Sequence, residues 1–341
     1  MKKKLSIVII SKNRHSYLEK QIEYWNKKKN INLIIIDGST KKLKNKKKKF
    51  YLYFHKRKSF SNRMIFASSL VKTKYVCFLA DDDFFLYESL IKNLQFLEKN
   101  NKFVACRSEM ARMIKYKKNI YLSLKENNYS PHLLKKSFEK TSLIKYFTNY
   151  FPQFFYSICR TKIWKKALKN LTNLNEFEGV YAIEELLFEL GMSSLGSIKH
   201  NNNLYHVRNS DNQSLTKRLI TFEIWWQEKK NQILLCNHLK KFSINSTFSV
   251  QFTKNLLDKY SEIEIKKNDF PKKKAIFIST VLNFFPKIIS NYLIKIKKEI
   301  SYLISFKKNN FFLLSECNYF LKKKIHKLNK KNINELYKFF N

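Results

Sequence analysis

The stretch YVCFLADDDFFLYESL (residues 75–90) decides how the whole chain is read. Tyr75 to Ala80 form an apolar run without alternation, the pattern of a strand buried on both faces of a parallel sheet. Three carboxylates follow at once, Asp81, Asp82 and Asp83, in a chain with 68 Lys+Arg but only 26 Asp+Glu. Adjacent carboxylates repel one another, so gathering them at a strand end calls for a cation or ligand among them. The dipole of a helix predicted over 87–99 would account for one acid. For three, a metal or nucleotide site is the stronger reading.

Runs of the same character lie on either side. LSIVII (5–10), INLIII (31–36), YLYF (51–54) and FVACRS (103–108) read as buried strands. Helices predicted over 14–28, where Leu18, Ile22 and Trp25 share a face, and over 60–72 and 87–99 alternate with them. The class is therefore α/β, with a doubly wound, mostly parallel sheet. Such sheets bind ligands beyond the carboxyl ends of their strands. Three polar clusters fall there: Ser11-Lys12-Asn13-Arg14, Asp37-Gly38-Ser39 and the Asp81–Asp83 triad. No GxGxxG follows the first strand, which argues against NAD and FAD binding.

Further along, NYFPQFFYSICRTKIW (149–164) reads as a strand feeding a helix. VYAIEELLFELG (180–191) reads as a helix closed by Gly191, with short strands near 197–199 and 203–207. All four glycines lie before residue 197, and the chain turns lysine-rich and helical afterwards. This places an α/β domain over 1–214 and a basic helical region over 215–341.

The formal net charge of +42 attracts anions. Its lysines are spread along the chain rather than gathered in a stripe, and Lys, Asn, Ile, Phe and Tyr dominate, as AT-biased coding DNA would produce. Nucleic acid is therefore not the expected partner. Five cysteines without CxxC spacing argue against a zinc site or disulfide scaffold and fit a reducing cytosol. The apolar run after the basic start is too short for a signal peptide, and no run of 18 apolar residues marks a membrane span. The expected location is the cytoplasm. Residues 280–306, interrupted by Pro286, would either pack as a helical unit, the preferred reading, or lie on the inner face of an anionic membrane.

Three elements in order carry a resemblance. SIVIISKNRHSYLEKQIEYW (6–25), LIIIDGS (33–39) and YVCFLADDDFF (75–85) resemble the first strand, turn and helix, the second strand with its acid, and the DxD segment of family 2-type glycosyltransferases, which have the GT-A fold. The resemblance implies that Asp37 reads the nucleobase and that Ser11, Asn13 and Arg14 line the nucleotide pocket. It puts Asp81 near the ribose and Asp82 or Asp83 on Mn²⁺ or Mg²⁺ bound to the diphosphate. The common version is D-x-D-D; Ala80 stands in its first place, so the pattern leaves open which two acids form the pair, with Asp82 the first choice. In VYAIEELLFEL the resemblance implies a general base, Glu185 with Glu184 in reserve, where the family usually has Asp second. In NLYHVRNSDNQS (203–214) it implies a diphosphate contact by Arg208 and a metal or phosphate contact by His206. Lys12, Arg63 and Arg107 are weaker candidates.

The function so implied is a metal-dependent, inverting transfer of a sugar from a nucleotide-sugar donor, preferably a UDP-sugar, to a glycan or lipid-linked acceptor in surface polysaccharide synthesis. The competing readings are a sugar nucleotidyltransferase, whose Gly-rich loop is missing, a nucleic-acid-binding protein, and a degenerate transferase that binds without turnover.

Overall fold

The computed structural model describes residues 3–43, 51–53, 59–116, 119–123, 147, 154–177, 179–210, 220–240, 249–263, 265, 312–313 and 330–340. Most of the lysine-rich loop 41–49 and the whole of 280–306 with Pro286 lie outside the described residues.

The sheet is built on β1 (Leu5–Ser11), β2 (Ile31–Asp37), β3 (Tyr51–Tyr53) and β4 (Tyr75–Leu79), all parallel in the order β3-β2-β1-β4. Helices α1 (His15–Asn26) and α2 (Phe60–Leu70) provide the crossovers. Side chains of β1 alternate between two cores, as a two-residue period requires. Leu5, Ile7 and Ile9 meet α1 through Leu18, Ile22 and Trp25. Val8 faces the other side with Met64 and Ala67 of α2. Both faces are covered, which is why these strands read as unbroken apolar runs. The Ser59 hydroxyl caps α2 by accepting from the Asn62 amide at 3.2 Å.

After β4 come the two-residue strand β5 (Phe84–Phe85), α3 (Tyr87–Lys99) and β6 (Phe103–Tyr116), with β7 (Asn119–Ser123) antiparallel beside β6. The predicted strand feeding a helix is β8 (Ile158–Arg160) followed by α4 (Thr161–Leu168). Strand β8 enters the sheet antiparallel between β4 and β6, through Cys159 opposite Val76 and Ala105. Strand β9 (Val180–Tyr181) then leads to α5 (Ile183–Leu195). The two short strands expected near 197–199 and 203–207 are one strand, β10 (Ser197–Asn209), parallel to β6, with register shifts around Leu204.

Gly191 does not end its helix. It lies inside α5, where an added Cβ would come within 2.4 Å of the Asn170 amide nitrogen and 3.3 Å of Ala167 of α4. The glycine is there to let α5 approach its neighbours, and the helix stops at Gly196 instead.

Beyond residue 214 the described residues are largely helical, over Phe222–Trp225, Lys229–Lys240, 250–263 and Lys330–Phe340. Trp226, Leu235, Leu239 and Leu257 share the core of α2, α4 and α5, so packing continues across the compositional change near 215. Among the described residues no helix is long and apolar enough to cross a membrane.

Strand β10 also carries a titratable group remote from the strand ends. Burial, with Arg107 and Lys199 nearby, pushes the His200 imidazole down to about 3, and Glu109, 3.8 Å away, has its own carboxyl pushed up by burial. A histidine depressed in the folded state stabilises fully above its unfolded value of about 6.5 and loses that contribution as pH falls towards its folded value. The fold is expected to weaken between pH 6.5 and 4, by at most about 1.4 kcal/mol per pH unit from this residue. Denaturant titrations of His200→Gln should show a shallower acid limb than wild type.

Candidate active site

Two turns and one acidic loop meet beyond the carboxyl ends of β1, β2 and β4. Ser11 and Asp37 are register partners at the ends of β1 and β2, and the Gly38 amide donates to the Ser11 carbonyl at 2.9 Å. Asn13 sits in the left-handed region at φ 58°, a conformation asparagine tolerates. Its amide donates to the Ser39 hydroxyl at 2.7 Å, and its side-chain oxygen accepts from the Thr40 amide at 2.9 Å. The SKNR and DGS turns are thus locked together by Asn13.

Asp37 is fully buried. One of its oxygens accepts from the Ser39 amide (2.9 Å) and hydroxyl, and the other from the Tyr51 hydroxyl at 2.6 Å. The imidazole Nε2 of His15 lies 3.3 Å away. Burial and the Asp37 carboxylate raise the Tyr51 pKa, so its proton stays in that bond. Arg63 of α2 reaches under the same turn and donates from Nη1 to the Ser11 carbonyl at 2.5 Å. Burial opposes its charge, while Asp37, Asp81 and Glu184 sustain it. An added Cβ at Gly38 would stand 2.5 Å from that nitrogen and 2.9 Å from Cζ. Gly38→Ala should therefore displace a buried, bonded guanidinium, costing about 1–3 kcal/mol, readable in a denaturation midpoint.

The triad is buried, with relative exposures of 3%, 9% and 3% for Asp81, Asp82 and Asp83. Its members have separate partners. Asp81 accepts from the Ser11 hydroxyl at 2.6 Å and pairs with Arg14 Nη1 at 2.8 Å, and Arg14 Nη2 reaches Asp82 at 2.7 Å. Asp83 faces the other way, towards His206 Nε2 at 2.8 Å and the Asn209 amide at 3.1 Å. The backbone of the loop is held by one side chain of α1: Gln21 donates to the carbonyls of Asp81 (3.0 Å) and Asp83 (2.7 Å). Burial pushes the Asp81 carboxyl up to about 7; Arg14 and the Ser11 hydroxyl pull it back, and the neighbouring acids add to the rise. The loop does not cap α3, whose N-cap position is Leu86 with no side-chain cap bond. That removes the helix-cap explanation for the acids.

His206 is buried on β10 between the rings of Phe85 (5.2 Å) and Tyr156 (4.8 Å). Burial, helped by Arg107 and Arg208, lowers its pKa against the pull of Asp83. A neutral ring that donates Nε2–H to Asp83 satisfies both. Arg208, half-buried two residues on, shares the strand face of His206. Glu184 and Glu185 occupy the first turn of α5, both half-buried, and Ala182 before them is left-handed at φ 66°. A non-glycine residue in that region costs about 1–2 kcal/mol, and here it sets the angle at which α5 enters. The charge of Glu184 helps to sustain that of Arg63.

Among the described residues no three His, Cys, Asp or Glu side chains form a ready-made metal cluster. The chemistry of Asp82 and Asp83 still suits a hard cation, provided substrate phosphates supply the remaining ligands, as is usual for Mg²⁺ and Mn²⁺. Asp82 fits best: it is the most exposed of the three, whereas Asp83 is committed to His206. Sequence reasoning missed Gln21, Tyr51 and His15. Gln21 lies on the buried stripe of α1 between Leu18 and Ile22, where a polar residue signals an interior partner.

Acids and arginines beyond β1, β2 and β4 of a doubly wound sheet define a GT-A-type domain, the fold also found in TarS 1-349 of S. aureus solved with UDP-GlcNAc. That chain is 14% identical, with a TM-score of 0.50 over 78% of this chain and 75% of that one. Residues 6–167 match the model of glycosyl transferase family 2. A mannosyltransferase from Pyrobaculum calidifontis, solved with GDP-Man and Mn²⁺, is a looser likeness at 9% identity and a TM-score of 0.42, covering 88% of this chain and 80% of that one. Protein Ycf2 of Physcomitrium patens is 27% identical over 98% of this chain, which spans only 16% of that protein's length.

Proposed function

We propose that the chain is a metal-dependent, inverting glycosyltransferase that moves a sugar from a nucleotide-sugar donor, a UDP-sugar by preference, to a glycan or lipid-linked acceptor in surface polysaccharide synthesis. One observation carries the reading. Within the family 2 region, Asp37 and the Asp81–Asp83 loop converge on the single turn Ser11–Arg14 at the open end of the sheet.

In this reading Asp37 accepts an N–H of the nucleobase, which joins or displaces the Tyr51 and His15 contacts. Asp81, beside Ser11, faces the ribose. Arg14 and Arg208 meet the diphosphate, where a guanidinium matches phosphate geometry. Asp82 would be the main residue holding the metal, with Asp83 and His206 as further candidates. A bound Mn²⁺ or Mg²⁺ would neutralise charge on the diphosphate oxygens. Glu185, or Glu184 one position earlier, accepts the proton of the acceptor hydroxyl as its oxygen attacks C1 from the face opposite the diphosphate. The C1–O bond to the diphosphate breaks, its electrons leave with the nucleoside diphosphate, and the arginines hold the released charge. Buried placement strengthens each of these interactions relative to water.

The test is to incubate the protein with Mn²⁺ and a panel of UDP-, GDP- and CDP-sugars, with water or glycan acceptors, and to measure released nucleoside diphosphate. Release from one nucleotide class supports the reading. No release and no binding across the panel contradicts it.

A further inference from the structure

We propose that the C-terminal helix Lys330–Phe340 is a brace that positions the acidic loop, so that the donor site at one end of the chain depends on residues some 250 positions away at the other. The inference rests on the donor-site reading above for its function, but the contacts stand independently of it. Ile333, Leu336, Phe339 and Phe340 are all buried, in a cluster with Phe84, Leu86, Met113, Leu122 and Val207. Phe84 is the residue directly after Asp83, and its ring lies 4.7 Å from Phe339 and 6.1 Å from Phe340. Its neighbour Phe85 points to the opposite face and stacks on Tyr205 at 4.4 Å. The loop is therefore pinned at its exit on two sides, and one of them is the C-terminal helix.

The helix also grips α1. Glu335 accepts from the Tyr24 hydroxyl at 2.9 Å and pairs with Lys28 at 2.8 Å, while Lys20 reaches the Phe340 carbonyl at 3.4 Å. Tyr24 closes the connection, with its ring 4.7 Å from Phe84 and 6.1 Å from Phe339. Helix α1 starts after Arg14, which pairs with Asp81 and Asp82, and carries Gln21, which holds the loop carbonyls. The brace thus touches two supports of the acids, β5 and α1. Packing of this kind transmits small displacements, because close-packed interiors deform little. The helix residues are positioning residues.

The test uses the full chain with Phe339→Ala, Phe339→Leu and Glu335→Gln, and Ile233→Ala on the exposed face of Lys229–Lys240 as a control. Hydrogen exchange is read at the amides of Asp83 and Leu86, which donate to the Ala80 and Tyr205 carbonyls, and compared with β1 and β2. Binding of UDP with Mn²⁺ is read by calorimetry. Phe339→Ala should raise exchange at these two amides about tenfold or more, leave β1 and β2 protected, and weaken Mn²⁺-dependent UDP binding to a similar degree; Phe339→Leu should restore most of both. If Phe339→Ala does not fold, Glu335→Gln and Phe339→Leu carry the same comparison with smaller effects in the same amides. Unchanged exchange in the loop, or a rise spread equally over β1 and β2, overturns the brace. Absence of UDP binding in wild type would sink the donor-site reading, while the exchange comparison still decides the brace.

Discussion

Glu185→Gln is expected to lower sugar transfer by about 10²–10⁴-fold while leaving nucleoside diphosphate binding close to wild type. The amide keeps the size and half-buried position of the side chain but cannot accept the acceptor's proton. Only kcat-type measurements should move, because the interaction is made in the transition state. Glu184→Gln is the paired experiment. Successive helical residues point about 100° apart, so the two variants probe different directions from the helix. The charge of Glu184 already helps to sustain that of Arg63, which bonds the Ser11 carbonyl. If the loss falls on Glu184→Gln instead, the base moves by one position and the chemistry stands. Full activity in both variants removes the carboxylate base from the account.

Asp82→Ala carries the second large effect, a loss of the metal-dependent part of nucleotide binding, at least about tenfold by analogy with other metal-site changes. Asp82 pairs with Arg14 Nη2 at 2.7 Å, and that guanidinium keeps Asp81 as a second partner after the change. The fold should therefore tolerate the substitution. Asp83→Ala, by contrast, removes the partner of buried His206 and the acceptor of the Asn209 amide, so stability should fall along with any loss of binding. Thermal melts without ligand separate the two variants: a near-wild-type midpoint for Asp82→Ala and a lowered one for Asp83→Ala.

The central sheet was legible because parallel strands covered on both faces leave unbroken apolar runs, and α3 falls on the residues its Leu90–Leu94–Leu97 spacing marks. Strand β8 was readable as a strand, but its antiparallel insertion between β4 and β6 was not, since three residues carry no record of their partners. Gly191 misled because a glycine near a helix end can mean a cap or a close approach, and only the Asn170 and Ala167 neighbours distinguish them. Of the site, the acids themselves stood out against a basic chain. Their pairing did not. Nothing in the local sequence says that Asp81 and Asp82 share Arg14 while Asp83 turns to His206, 123 residues away. The supporting Tyr51 was hidden for the same reason, being an ordinary strand residue until the register is known. The packing of Phe84 against Phe339 was not legible, because it depends on a helix from the far end of the chain.

The claim that Asp37 and the acidic loop form a metal-assisted nucleotide site is tested most directly by thermal-shift titration with UDP, GDP and CDP, each with and without Mn²⁺. The account predicts that one of them, UDP first, raises the midpoint in a saturable way and does so more strongly with Mn²⁺, by the amount that ligand binding to the folded state requires. No stabilisation by any of the three, with or without the metal, would contradict it.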